Sequence, residues 1–200
     1  MSTPIDFHSL VAKARTVRRY RESSPVSMET LEALVDTARL TPSGGNLQPL
    51  RYVLSNDPVT NARIFDCLGW AAYLKDWPGP AEGERPAAYA VILGDSDIAK
   101  SIDCDHGIAA LALQLGAAEK GLGACILGNV QRKKLATILE LPENLSILLV
   151  VALGEPAEDV RTEPLAADGS IKYYRDGEGL HRVPKRALDD IILARYQAKG

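Results

Sequence analysis

Arg15-Thr16-x-Arg18, near the start of the chain, is the group whose chemistry is easiest to name. An arginine fork matches phosphate oxygens bidentately, and a hydroxyl between two guanidiniums completes a clamp. If a helix runs through this stretch, Arg15 and Arg18, three apart, share a face. Val183-Pro184-Lys185-Arg186 supplies further cations at the other end of the sequence. Read as the start of a C-terminal helix over Pro184–Gln197, Lys185 and Arg186 oppose the helix dipole and call for an anion nearby. Between them lies Pro42-Ser43-Gly44-Gly45-Asn46-Leu47-Gln48-Pro49. The amides of Asn46 and Gln48 donate and accept at once, which suits a ring edge of alternating carbonyl and nitrogen, and the glycines let backbone approach closely. Taken singly, each segment has a plain alternative: a solvated basic face, a polar turn, a basic approach to a terminal helix.

Other chemistries find less support. Gly121, Gly123 and Gly128 close a helix, whereas a dinucleotide fingerprint must follow a strand and open one. There is no G-x-x-x-x-G-K-[ST] loop, no H-E-x-x-H and no G-x-S-x-G. Phosphate, if bound, is gripped by side chains. Asp103-Cys104-Asp105-His106 would scatter round a helix axis, so a metal cluster is the weaker reading; an aspartate at the helix start with His106 packed is the better one. Cys125 sits in an apolar run with no base near it in sequence and reads as a buried, inert thiol.

The elements that must position these groups follow from periodicity. Leu31, Leu34, Val35 and Ala38 predict a helix over Ser27–Arg39 with Ser27 as N-cap. Arg51–Ser55 reads as a strand, and Asn56-Asp57-Pro58 opens a helix to about Leu68. Gly69–Pro86 gathers Trp70, Tyr73 and Trp77 among prolines and glycines and reads as a long aromatic loop, a candidate lid over a pocket, although aromatics more often fill a core. Strands are expected at Tyr89–Leu93, Ala124–Leu127 and Ile147–Leu153, with helices at Ile102–Lys120 and Gln131–Leu139.

A chain of 200 residues, 46% hydrophobic and 24% charged, suits one globular domain spanning residues 1–200. A net charge of -3 gives no field that would draw in nucleic acid. Three separated cysteines make no disulfide framework. With a polar N-terminus and no apolar run of membrane length, the expectation is a cytoplasmic protein with no membrane partner.

Arg15-Thr16-x-Arg18, Pro42-Ser43-x-x-Asn46-x-Gln48-Pro49, the run Gly121 to Gly128 and Pro184-Lys185-Arg186, in this order and over nearly the whole chain, resemble the signatures of the nitroreductase family, closest to its short members. The resemblance implies an α+β fold of three layers, a central mixed or antiparallel sheet flanked by helices, in an intertwined homodimer with two FMN sites at the subunit interface. It places Arg15, Thr16, Arg18, Lys185 and Arg186 on the FMN phosphate. Ser43, Asn46 and Gln48 would reach the flavin from the partner subunit, and Leu127 and Gly128 would lie beside the isoalloxazine ring. It implies ping-pong transfer of hydride from NADH or NADPH to an electron-poor acceptor such as a nitroaromatic, quinone or flavin. The flavin carries that chemistry, and no side chain is singled out as catalytic. The alternatives are a specialised flavoenzyme of the same fold, dehalogenase-like or flavin-fragmenting, and a flavin-binding protein without turnover. Thr16 stands where the family more often has serine. The Gly69–Pro86 stretch is shorter than the helical excursion of longer members.

Overall fold

The computed structural model describes residues 6–198. Helices α1 (Phe7–Lys13), α2 (Met28–Arg39), α3 (Pro58–Phe65), α4 (Asp105–Glu119) and α5 (Arg132–Ile138) surround strands β1 (Leu50–Ser55), β2 (Ala88–Asp95), β3 (Gly123–Leu127) and β4 (Leu145–Gly154). The four strands form one antiparallel sheet in the order β1-β2-β4-β3.

Strand alternation explains the layering. Along β2, Tyr89, Val91 and Leu93 face one side with Cys125, Leu127 and Val150, and α3 and α5 cover them through Ile64 and Leu135. Ala88, Ala90 and Ile92 face the other with Val151 and Leu153, under Leu31 and Leu34 of α2 and Ala109, Leu113 and Ala117 of α4. A sheet buried on both faces reads as continuous apolar runs, which is why β2 and β4 have that composition. Each fully buried leucine, isoleucine or valine contributes about 1.5–3 kcal/mol.

Local signals set the boundaries. The Ser27 hydroxyl accepts from Thr30 N–H, and the Asp57 carboxylate accepts from Thr60 N–H at 2.8 Å with Pro58 in the first turn. Helix α4 ends in a left-handed Gly121 (φ +77°), which lets Leu122 N–H reach back to the Ala117 carbonyl at 2.8 Å. Gly123 has no room for a side chain, because an added Cβ would stand 2.9 Å from Val17.

The C-terminal third departs from expectation. The predicted helix over Pro184–Gln197 is a single turn, α6 (Leu188–Ile191). Its first residues belong instead to β7 (His181–Lys185), which joins β5 (Val160–Pro164) and β6 (Tyr174–Arg175) in a second sheet ordered β5-β7-β6. Pairing to β5 through Thr162–Val183 and Pro164–Lys185 outweighs the helical pattern, and Pro184 is tolerated because β6 reaches only His181 and Arg182 on the other side. Leu193 and Tyr196 beyond the turn are fully exposed, and a short helix without a surface to pack on is not stable. Between Gly69 and Pro86 the chain forms no helix or strand, as its composition predicts. Among the described residues no helix is long and apolar enough to cross a membrane.

Candidate functional site

No helix runs through Arg15 and Arg18. α1 stops at Lys13, Ala14 turns out of it, and the chain runs extended, with Thr16 bridging Ala124 in parallel along the open edge of β3 and Val17 N–H donating to the Ala124 carbonyl at 3.0 Å. Ala14, Val17 and Tyr20 are buried, so the residues between them face outward. Arg15, Thr16 and Arg18 consequently still line one cavity of about 340 Å³, beside Gln114 of α4. Lys185, at the end of β7, lines the same cavity from the far end of the sequence.

Among the described residues, Arg15, Arg18 and Lys185 make no ion pair. Arg15 donates one Nη to the Val11 carbonyl at 2.7 Å, and its buried Nε has no partner. Arg18 is fixed from two directions: its guanidinium lies 4.6 Å from the centre of the Tyr173 ring, and its backbone N–H donates to Glu158 at 2.5 Å. Arg186 is exposed and lies outside the cavity lining. The argument that its helix wants an anion falls with the helix, while Lys185 reaches the clamp from a strand.

Glu158 is the residue the sequence does not reveal. Its side chain is 2% exposed, and it accepts from the backbone of Arg18 and Arg19 and from Arg175 at 2.9 Å, with buried His181 Nδ1 at 3.6 Å. Burial pushes its carboxyl up; His181, the Arg18 N–H and Arg175 outweigh that and bring it to about 2. One carboxylate thus ties the N-terminal clamp segment to the C-terminal sheet. Tyr173 was equally hidden, although its place among Lys172 and Arg175 is a faint signal of cation stacking.

The Ser43–Gln48 loop forms a separate site. The Ser43 hydroxyl donates to Asp105 at 2.6 Å and accepts from Gln48 N–H at 2.9 Å, while Gly44 N–H donates to the other Asp105 oxygen. Ser43's hydroxyl is therefore committed, as donor to Asp105 of α4 and as acceptor within its own loop. These bonds hold the Asp105 carboxyl below its usual range, the Ser43 bond most, and the N-cap of α4 is Cys104, not an aspartate. Asn46 and Gln48 both adopt left-handed backbone (φ +54° and +51°), and both are exposed. Ser43 and Gln48 line a cavity of about 170 Å³ that shares no residue with the one lined by Arg15, Thr16, Arg18 and Lys185. Non-glycine residues held at positive φ are a recurring mark of functional loops.

Leu127 and Gly128 line neither cavity. The Leu127 side chain is buried in the core, leaving only its backbone to face a ligand, and the Gly128 carbonyl accepts from Arg132 at 3.1 Å. Trp70 stacks near Phe65, Tyr73 packs on Tyr173, and Trp77 lies under the Arg175 guanidinium at 4.4 Å. The aromatic loop is therefore docked on α3 through Trp70 and on the C-terminal region through Tyr73 and Trp77. Cys125 is buried and its thiol is pushed up to about 12 by desolvation, as an inert core thiol should be.

Comparison with known proteins places this geometry in context. A NADH dehydrogenase of Thermus thermophilus is 26% identical over 185 residues, covering 78% of this chain and 89% of its own. An iodotyrosine deiodinase of Haliscomenobacter hydrossis is 27% identical over 184 residues, covering 79% and 82%. Among solved structures, an FMN-dependent nitroreductase of Clostridium difficile superposes with a TM-score of 0.64 at 21% identity, covering 78% of this chain and 90% of that one. The described helices and antiparallel sheet thus have the nitroreductase-like α+β fold. Residues 11–155 match the model of the Nitroreductase family, and with most of its length so matched the chain belongs to that family.

Proposed function

We propose that the protein is an FMN-dependent oxidoreductase that takes hydride from NADH or NADPH and delivers it to an electron-poor acceptor. The observation that carries this reading is the cavity in which Arg15, Thr16, Arg18 and Lys185 converge from both ends of the chain, the three cations making no ion pair among the described residues. A dianionic ribityl phosphate fits that donor set, including the orphaned Arg15 Nε. Arg15, Arg18 and Lys185 would bind the phosphate by charge-assisted hydrogen bonds and Thr16 would add its hydroxyl, with Arg186 at the periphery. When bound, FMN supplies the hydride chemistry, and the chain's part is to place the ring and exclude water around it.

Ser43 and Gln48 line a different cavity of the same chain, with Asn46 exposed on the loop between them, which supports a homodimer in which each flavin meets one chain's clamp and its partner's loop. The backbones of Leu127 and Gly128 would border the ring. The names of the relatives, among them a NADH dehydrogenase and an FMN-dependent nitroreductase, point to the same donor and cofactor.

Gln48→Gly separates function from stability. A left-handed backbone costs a non-glycine residue about 1–2 kcal/mol, so glycine should leave the unfolding free energy unchanged or higher. The amide lost with the side chain should weaken FMN binding about tenfold, measured by fluorescence titration. Unchanged affinity would remove Gln48 from the site.

The decisive experiment on the reaction is an anaerobic titration. Purified protein should be yellow, should bleach on stoichiometric NADH or NADPH, and should recover its colour on adding a nitroaromatic or a quinone. A protein that stays colourless after incubation with FMN sinks the proposal. Bleaching with recovery only by a halogenated phenol would favour the dehalogenating alternative that the deiodinase relative suggests.

A further inference from the structure

A third cavity, of about 300 Å³, lies between α3, the Glu22–Val26 segment and the entry to β2, and it shares no lining residue with the clamp or the Ser43–Gln48 loop. Its size is at the lower end for small-molecule sites. Pro25, Pro58, Ala62 and Phe65 give it apolar walls. Tyr89 and Arg85 supply its polar side, and both are unfinished. Tyr89 is 1% exposed, and its hydroxyl has no partner among the described residues. Arg85 lies 4.5 Å from the centre of the Phe65 ring; its buried Nε is unpartnered and it makes no ion pair among the described residues.

The other polar groups around the cavity are largely committed. The Asn61 side chain accepts from the Ser55 hydroxyl at 2.7 Å and donates to the Ala87 carbonyl at 2.8 Å. The Asn56 amide donates to the Val26 carbonyl, and one Glu22 oxygen accepts from Gly83 and Arg85 N–H groups. The strongest unmet capacity is therefore that of donors, one of them a full positive charge. Leaving a buried donor unmade is costly, and an acceptor that reaches it recovers that loss.

We infer that this cavity binds a small carboxylate with an apolar, aromatic-sized body, the carboxylate on the Arg85 guanidinium and within reach of the Tyr89 hydroxyl, the body between Pro25, Pro58 and Phe65. A swing of Arg85 off the Phe65 face lets one carboxylate serve both donors. The Arg85 guanidinium, which makes no ion pair among the described residues although the Glu22 carboxylate lines the same cavity, matches that group bidentately. The inference does not depend on the flavin reading, since the two sites share no residue.

The test is calorimetric titration of the FMN-incubated full-length protein with sodium benzoate, with benzamide as the neutral isostere and the flavin spectrum recorded throughout. The expected result is saturable binding of one benzoate per chain with an unchanged flavin spectrum. Arg85→Gln, which keeps the stem on Phe65, should weaken it about tenfold or more, and Tyr89→Phe severalfold. Benzamide should bind at least tenfold more weakly than benzoate. Absence of saturable binding overturns the inference, as does binding that Arg85→Gln leaves unchanged or that perturbs the flavin spectrum, since benzoate would then sit elsewhere.

Discussion

Lys185→Ala is expected to weaken FMN binding by about one to two orders of magnitude, the range that follows from losing one charge-assisted hydrogen bond of about 1.5–3 kcal/mol. Lys185 is exposed at the end of β7 and makes no ion pair among the described residues, so its removal should leave thermal stability within a few degrees of the parent. Arg18→Ala should lose at least as much affinity and more stability, because the guanidinium also stacks on Tyr173. Arg186→Ala, outside the cavity lining, should cost least. Fluorescence titration with FMN and with riboflavin in parallel identifies the cause. Riboflavin lacks the phosphate, so a variant that harms only the clamp should lose affinity for FMN and keep it for riboflavin. Equal losses for both ligands would mean that Lys185 shapes the ring site or the fold, and no loss for either would dissolve the clamp.

The residue types at 15, 16, 18 and 185 suggest a phosphate from the sequence alone, because guanidinium, hydroxyl and ammonium chemistry survives any backbone that brings them together, and the fold gathers the four on one cavity. The backbone that gathers them is less legible. Arg15 and Arg18 share a cavity through an extended segment laid along the β3 edge, not through a helical face, and Lys185 arrives on a strand where a helix is predicted. Both outcomes have one source. Pairing to β3 and to β5 is long-range, and local periodicity carries no record of which distant strand offers an open edge. The four strands of the main sheet were readable because burial on both faces imposes apolar runs, and the caps at Ser27 and Asp57 because capping is local. β5 and β6 were not, since their exposed, charge-rich residues follow no such pattern. Glu158 was hidden for the same reason: an acidic residue after a strand looks like surface until Arg175, His181 and the Arg18 backbone close around it.

That buried carboxylate carries a large expected effect on stability. With its carboxyl brought from the usual 4.5 to about 2 in the folded state, Glu158 contributes about 3 kcal/mol at neutral pH. The sign follows from the direction of the shift. The folded protein releases this proton more readily than the unfolded chain, so the contribution is fully present above about pH 4.5 and is lost as pH falls from there towards about 2. Glu158→Gln keeps the shape and removes the charge, leaving Arg175 facing a neutral amide and the Arg18 and Arg19 amides with a weaker acceptor. Urea unfolding over a pH series should show the variant less stable by about 3 kcal/mol at neutral pH, with the gap closing below about pH 4. Other carboxylates held low, among them Asp105 and Glu155, titrate in the same window, so the quantity to compare is the difference between parent and variant at each pH. A gap that stays constant down to about pH 2 would mean that packing and not charge gives Glu158 its weight. Because Arg18 is held through its backbone by this carboxylate, the variant should also bind FMN more weakly at neutral pH while riboflavin binding changes less, tying the stability of the C-terminal sheet to the order of the clamp.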